Sequence, residues 1–175
     1  WKLSYIDRLS PYDASINTIF GTGIHEALQE FLRLLYGPGG ASSADALDYM
    51  AVFNKTFDAE IAKDLKTATP EQALLTEEER EVLGVITQEE IESFRKDGKT
   101  ILDHVTSPSI RMKHFPSKQY EVIGIELPLE IPIRGGTILY KGYLDIVLRD
   151  RVTKKILILD FKTSTFGWNK YQKMD

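Results

Sequence analysis

The chain has 175 residues, of which 42% are hydrophobic and 27% are charged, and its formal net charge is −4. This composition is typical of a globular domain with a core of its own, and the charge argues against a strongly basic DNA-coating protein. No apolar run approaches the roughly 20 residues of a membrane span. The lack of cysteine excludes disulfides, cysteine-bound zinc and cysteine-bound iron–sulfur clusters, and it suits a cytoplasmic protein.

The first predicted element is a helix over residues 19–36, with Thr22 as a candidate cap. Its apolar side chains recur at helical spacing, at Ile24, Ala27, Leu28, Phe31, Leu32 and Leu35. His25 shares this stripe, so we expect it to face inward, where a lone histidine is more often a core residue than a ligand. The Gly- and Ser-rich residues 37–43 predict a flexible break after the helix.

The next segment, residues 44–106, is predicted to be wholly helical. Thr76 with Glu79, and Thr87 with Glu90, each match the capping box that marks a helix start. Pro70 and the Ser107–Pro108 pair interrupt the helical pattern.

After Pro116 the apolar period changes from helical to two, which predicts strands. Residues 123–133 form the first, and its prolines favour an edge position. A Gly-Gly turn leads to a second strand over 139–148, and a turn at 150–154 leads to a third over 155–163. The third is apolar on both faces, so we expect it to lie centrally. The fold class is therefore α+β, with a helical region packed on an antiparallel β-meander.

The two hairpins align three carboxylates. A turn centred on the two adjacent glycines places Glu126 opposite Asp145, and a turn at 152–153 places Asp145 opposite Asp160. Like charges directly opposed on a sheet repel one another, and a bound cation would relieve that repulsion. Oxygen ligands without cysteine favour Mg²⁺ or Mn²⁺. Lys162 leaves the same face of its strand as Asp160, where it could neutralise the acids, hold a phosphate oxygen, or orient and deprotonate a metal-bound water.

Plainer interpretations stand beside this one. Asp145, Asp160 and Lys162 could form a structural salt-bridge network, and Glu126 could be a surface charge. Glu130 opposite Lys141 is predicted to be a simple cross-strand ion pair. Two basic clusters, within 111–118 and 149–155, are typical of solvated surface. Near the C-terminus are two aromatic residues and a lysine, Trp168, Lys170 and Tyr171. They could stack on bases and contact DNA, although such residues more often anchor the start of a helix.

Several motifs in order resemble the PD-(D/E)XK nuclease superfamily in its RecB-like branch. They are GTGIHEAL at 21–28, similar to that branch's histidine motif, the strand through Glu126, GYLD at 142–145 and ILDFKT at 158–163. The resemblance implies an αβββ core of the restriction-endonuclease-like fold. It implies one nuclease domain over 1–175, made of the histidine-motif helix at 1–40, a helical insertion at 41–118 and a β-meander catalytic core at 119–175.

The resemblance also implies site residues and chemistry. His25, Asp145, Asp160 and the backbone carbonyl of Phe161 would bind the metal, Lys162 would be the catalytic lysine, and Glu126 matches a frequent family acid. Members cleave DNA phosphodiesters with Mg²⁺ or Mn²⁺, and many process linear or single-stranded DNA ends in recombination, repair or phage replication, together with other proteins of those pathways.

The resemblance also bears on the completeness and location of the chain, and it leaves two alternative functions open. The family normally continues into a glutamine–tyrosine helix and a further strand, so we expect a fragment of a longer chain, from the cytoplasm of a bacterial or phage-infected cell. A non-catalytic DNA- or protein-binding relative and a metal-dependent nucleotide phosphohydrolase are the alternative functions.

Overall fold

The structure, a computed structural model, describes residues 15–132 and 139–162, except for the side chain of Glu81. It contains helices and two small sheets, which confirms the α+β prediction. No helix within these ranges has the length and apolar content that crossing a membrane requires. The helices are α1 (Ile16–Tyr36), α2 (Gly40–Asp45), α3 (Tyr49–Asp64), α4 (Glu77–Leu83), α5 (Gln88–Thr106) and α6 (Pro108–His114). The strands are β1 (Lys66–Thr67), β2 (Val85–Ile86), β3 (Tyr120–Pro132), β4 (Leu139–Asp150) and β5 (Ile156–Leu159).

Helix α1 begins earlier than predicted. Ser15 is its cap, because its hydroxyl accepts a hydrogen bond from the Thr18 amide at 3.3 Å. Thr22 lies inside the helix and donates its hydroxyl to the Thr18 carbonyl, so its assignment as the cap is wrong. The predicted apolar stripe is buried throughout. The expected flexible break at 37–43 contains the start of the short helix α2 instead.

The segment over residues 44–106 is not wholly helical, and that prediction is wrong. Strands β1 and β2 pair in parallel, with the Lys66 amide donating to the Gly84 carbonyl at 2.9 Å and the Ala68 amide to Ile86 at 2.8 Å. Two-residue strands are too short for a periodic signal, and burial of both β2 side chains holds the pair in place. Both predicted capping boxes are present, at α4 and at α5.

The main sheet is an antiparallel meander in the order β3-β4-β5. Within the described residues β3 is an edge strand, as predicted, but β4 lies at the centre and the prediction of a central third strand is wrong. The predicted registers are confirmed, since Glu130 pairs with Lys141 and Val147 pairs with Ile158. The Glu130–Lys141 ion pair is also present, at 2.7 Å. Strand β5 ends at Leu159, earlier than expected.

Two apolar clusters make up the core, and α1 contributes to both. One lies between α1, α3 and α5, and the other between the C-terminal half of α1 and the sheet. Each fully buried large side chain contributes about 1.5–3 kcal/mol; these include Ile24, Leu32, Leu35, Phe53, Phe57, Leu102, Ile146 and Leu148. Because α1 belongs to both clusters, its position relative to the sheet is fixed by packing.

The ring of Phe53 packs between Gly23 of α1 and Gly98 of α5. A Cβ atom at Gly98 would lie 2.8 Å from Cζ of this fully buried ring. We predict that Gly98→Ala lowers the free energy of unfolding by about 1–2 kcal/mol, because overpacking outweighs the roughly 1 kcal/mol gained in helix propensity. Denaturant unfolding measures the change.

The control is the same substitution in a Phe53→Leu background, where the smaller side chain leaves room for a methyl group. Gly98→Ala should cost less there. An equal cost in both backgrounds would contradict the proposed contact.

Candidate active site

The predicted site residues lie where α1, β4 and the end of β5 meet. The last ladder pair between β4 and β5 joins Ile146 to Leu159. Asp145 and Asp160 stand one residue beyond that pair on their respective strands. The tight turn between the two strands therefore places these acids beside each other, as the sequence predicted.

The backbone of Phe161 is bonded at both of its polar groups. Its carbonyl oxygen lies 2.8 Å from Nε2 of His25, and because a carbonyl only accepts, Nε2 carries the proton. Its amide donates to Oδ2 of Asp145 at 2.6 Å. Nδ1 of His25 is 3.9 Å from the same Asp145 oxygen. Three of the ligands that the resemblance implies are thus in mutual contact.

The side chain of Phe161 points the other way, into the core. It packs against both apolar clusters. Its ring centroid lies 6.1 Å from that of Phe115 and 6.2 Å from that of His25. His25 is only half-buried, so it stands at the margin of the core and not inside it as expected.

Asp160 and Lys162 form the exposed part of the site. Nζ of Lys162 lies 3.0 Å from Oδ1 and 2.8 Å from Oδ2 of Asp160, and both side chains are more than half exposed. The hydrogen bond to Asp160 raises the pKa of Lys162, with further contributions from the charges of Asp160 and Asp145. The lysine therefore stays protonated and partly neutralises the two acids.

Glu126 is displaced from the ladder although its predicted register holds. Its neighbours Ile125 and Leu127 pair with Ile146 and Leu144, which puts Glu126 opposite Asp145. However, its φ of 53° lies in the left-handed region that side chains other than glycine rarely adopt. Its side chain lines a cavity of about 290 Å³ against α1.

The expected row of three carboxylates is not formed. Across 15–132 and 139–162, no three His, Cys, Asp or Glu side chains converge closely enough to hold a metal ion. Each acid has a different neighbour: Asp145 accepts from the Phe161 amide, Asp160 pairs with Lys162, and Glu126 lies at the α1 cavity. Local hydrogen-bond donors hold Asp145 and Asp160, and strand register alone does not specify the directions of the three side chains.

The same cavity contains two polar residues that the sequence analysis did not single out, Glu26 and Gln29. Gln29 is 5% exposed, and its side-chain oxygen accepts from Arg33 at 3.0 Å. Gln29 follows His25 by four residues and therefore lies on the same face of α1. This spacing is the sequence signal that could have identified Gln29.

The donor types around Phe161, an imidazole nitrogen with carboxylate and carbonyl oxygens, suit a small divalent cation. Neighbouring ligands of an octahedral Mg²⁺ or Mn²⁺ ion with bonds of about 2.0–2.1 Å lie about 2.9–3.0 Å apart. His25 Nε2 and the Phe161 oxygen are 2.8 Å apart, which is close to that spacing, and the imidazole would have to turn for its nitrogen to bind a cation together with the carbonyl. Trp168, Lys170 and Tyr171, the candidate DNA contacts, lie outside the described residues.

A protein-family model matches nearly the whole chain. The family model described as the PD-(D/E)XK nuclease superfamily matches residues 1–173. The searches of curated proteins and of solved structures found no match.

The bond from the Phe161 amide to Asp145 can be tested directly. We predict that Asp145→Ala speeds hydrogen exchange of the Phe161 amide about tenfold or more, since a bond to a charged group contributes about 1.5–3 kcal/mol. NMR-detected exchange measures it, with the Leu157 amide in β5 as an internal reference. Glu130→Ala, which removes another carboxylate of the sheet, should leave the Phe161 amide unchanged. Unaltered exchange in Asp145→Ala would rule out this bond.

Proposed function

Because the chain belongs to the PD-(D/E)XK nuclease superfamily, we propose that it hydrolyses DNA phosphodiester bonds with Mg²⁺ or Mn²⁺. The observation that carries the proposal is that His25 lies against both Asp145 and the Phe161 carbonyl, which brings three groups of cation-binding type together. The position of His25 on α1, facing the end of β5, supports the RecB-like branch. On that resemblance we assign the protein to DNA-end processing, as an exonuclease, in recombination, repair or phage replication.

Four groups would hold the cation: His25 Nε2, the carboxylates of Asp145 and Asp160, and the Phe161 carbonyl. When bound there, a divalent cation supplies Lewis acidity toward the phosphodiester and lowers the pKa of water. A water oxygen forms a bond to phosphorus as the bond to the leaving oxygen breaks. Lys162 presents three N–H donors on its ammonium group, which can orient the water or hold a non-bridging phosphate oxygen.

The Asp160–Lys162 ion pair is compatible with these roles. Both side chains are largely exposed, at 53% and 59%. Exposed ion pairs contribute only about 0–1 kcal/mol to stability. Transfer of the Asp160 carboxylate to a cation would therefore cost little and would release Lys162 toward the substrate. Glu126 lies close enough to the α1 cavity beside His25 to serve as an additional acid there.

A non-catalytic DNA- or protein-binding relative is the second candidate. The observation that favours it is the lack, in the described part of the chain, of a converged set of three metal-binding side chains. Such a protein would keep the sheet and its charges without binding a metal ion. Metal titration separates the two candidates.

We predict that Asp160→Asn and Lys162→Gln each reduce cleavage of linear DNA by about a hundredfold or more, because each removes a group worth several kcal/mol in the transition state. Gel-based cleavage assays with Mg²⁺ and Mn²⁺ measure the loss, and circular dichroism checks folding. Glu130→Gln and Lys141→Gln provide matched controls, since they alter another carboxylate–lysine pair of the same sheet. Undiminished cleavage by either site variant would refute its assigned role.

Metal binding gives a separate prediction. Isothermal calorimetry should show the parent protein binding Mn²⁺ in the millimolar range or tighter, and His25→Ala should weaken that binding about tenfold or more, as expected for loss of a ligand. His104→Ala, which removes an exposed histidine of α5, should have no effect. If the parent protein binds neither Mn²⁺ nor Mg²⁺ at millimolar concentration, the second candidate replaces the first.

A further inference from the structure

The charge of the chain is strongly divided between two regions. Residues 41–106 contain 15 Asp and Glu against 7 Lys and Arg, whereas residues 107–162 contain 10 Lys and Arg against 6 Asp and Glu. The net charge of −4 conceals this division. A polyanion would be repelled by residues 41–106 and attracted to residues 107–162, which contain the sheet.

The fold brings two basic clusters of the sequence together. Lys118 lies in the loop before β3, and Arg151, Lys154 and Lys155 lie in the turn between β4 and β5. The Arg151 amide donates to the Gln119 carbonyl at 2.9 Å, which joins loop to turn. The Gln119 side chain also donates to Asp150, at 3.0 Å. We refer to Lys118, Arg151, Lys154 and Lys155 as the basic turn surface.

The turn is held by its own hydrogen bonds. Asp150 accepts from the amides of Val152 at 2.9 Å and Thr153 at 2.7 Å. These bonds, with that from Gln119, lower the pKa of Asp150 to about 2. The carboxylate therefore remains ionised at neutral pH and keeps its acceptor role. A turn held this way presents its lysines at defined positions.

Three positive charges of this surface are available to meet a ligand. Lys118, Lys154 and Lys155 are exposed, and within the described residues none lies within ion-pair distance of a carboxylate. Arg151 shares Glu121 with Arg149, through contacts of 3.7 Å and 2.5 Å respectively. Glu121 is thus occupied by the arginines and Asp150 by the turn amides and Gln119, and the three lysines are exposed to solvent.

The distance from this surface to the candidate site corresponds to a short length of DNA. Lys155 precedes Asp160 by five residues along β5, which at about 3.3 Å per residue is about 17 Å. Duplex DNA advances about 3.4 Å per base pair along its axis, so a duplex whose axis followed the strand would cover about five base pairs over this separation. A duplex bound at Asp160 is therefore long enough to reach the turn as well.

We propose that the basic turn surface binds the sugar–phosphate backbone of DNA at a distance from the phosphate that is cleaved. The location of that phosphate rests on the proposed function, whereas DNA binding by the surface does not. Lysine and arginine contacts to phosphates carry no base information, so binding is independent of sequence. The surface selects polymeric DNA over mononucleotides, because a mononucleotide reaches only the acids.

The test compares two triple variants that remove the same net charge. Lys118→Gln/Lys154→Asn/Lys155→Gln alters the surface, with asparagine at 154 because φ there is 61° and asparagine tolerates that conformation. Lys55→Gln/Lys66→Gln/Lys96→Gln removes exposed lysines of the helical insertion. Fluorescence anisotropy of a 20-base-pair duplex in EDTA, at salt concentrations between 50 and 200 mM, measures affinity without cleavage.

The surface variant should bind the duplex at least about tenfold more weakly than the parent protein. Its slope of log K against log salt should also be flatter, by about 0.9 for each phosphate that is no longer neutralised. The insertion variant should change affinity less than about threefold. Equal reductions in the two variants, unchanged binding by the surface variant, or no binding by the parent protein would each overturn the proposal. A parent protein that shows the expected binding but hydrolyses no DNA would overturn the proposed function and leave the surface standing.

Discussion

The candidate site is organised around Phe161, a residue whose own side chain takes no part in chemistry. Its ring packs against both apolar clusters, while its amide donates to Asp145 and its carbonyl accepts from His25. Burial of the ring fixes the backbone, and the backbone then positions two side chains from different elements. His25 and Asp145 are therefore held in fixed positions although neither is fully buried. Because they stay near the surface, the desolvation cost of a buried charge is avoided.

The site consequently has two parts with different freedom. His25 and Asp145 are held by partners and by the elements that carry them, since α1 runs through both clusters and β4 is central in the described sheet. Asp160 and Lys162 are exposed and bond mainly to each other. The first pair is suited to fixing a position, and the second pair can exchange one partner for another at little energetic cost. This division matches what a cation-dependent hydrolase requires of its residues.

Much of the sheet could be predicted because turns and alternation are local signals. The two registers and the Glu130–Lys141 pair follow from short turns and a period of two. Other features depend on contacts that sequence spacing does not encode. The Ser15 cap lies upstream of the apolar stripe, the β1–β2 pair is too short for any period, and the left-handed conformation of Glu126 has no glycine to mark it. The directions of two of the three acids followed nearby donors, so a correct register did not produce a converged carboxylate row.

The parallel pairing of β1 with β2 has a consequence for how this architecture can vary. The pairing brings the chain back to nearly the same point, with Lys66 bonded to Gly84 and Ala68 to Ile86. The intervening stretch therefore has its ends joined by the ladder, and within it Arg80 of α4 pairs with Glu90 of α5. Loop-closure entropy grows only slowly with length, so residues can be added or removed there while α3 and α5 keep their places against α1. Insertions between related proteins are therefore expected in this segment. A reporter domain could also be fused there, at a distance from the sheet.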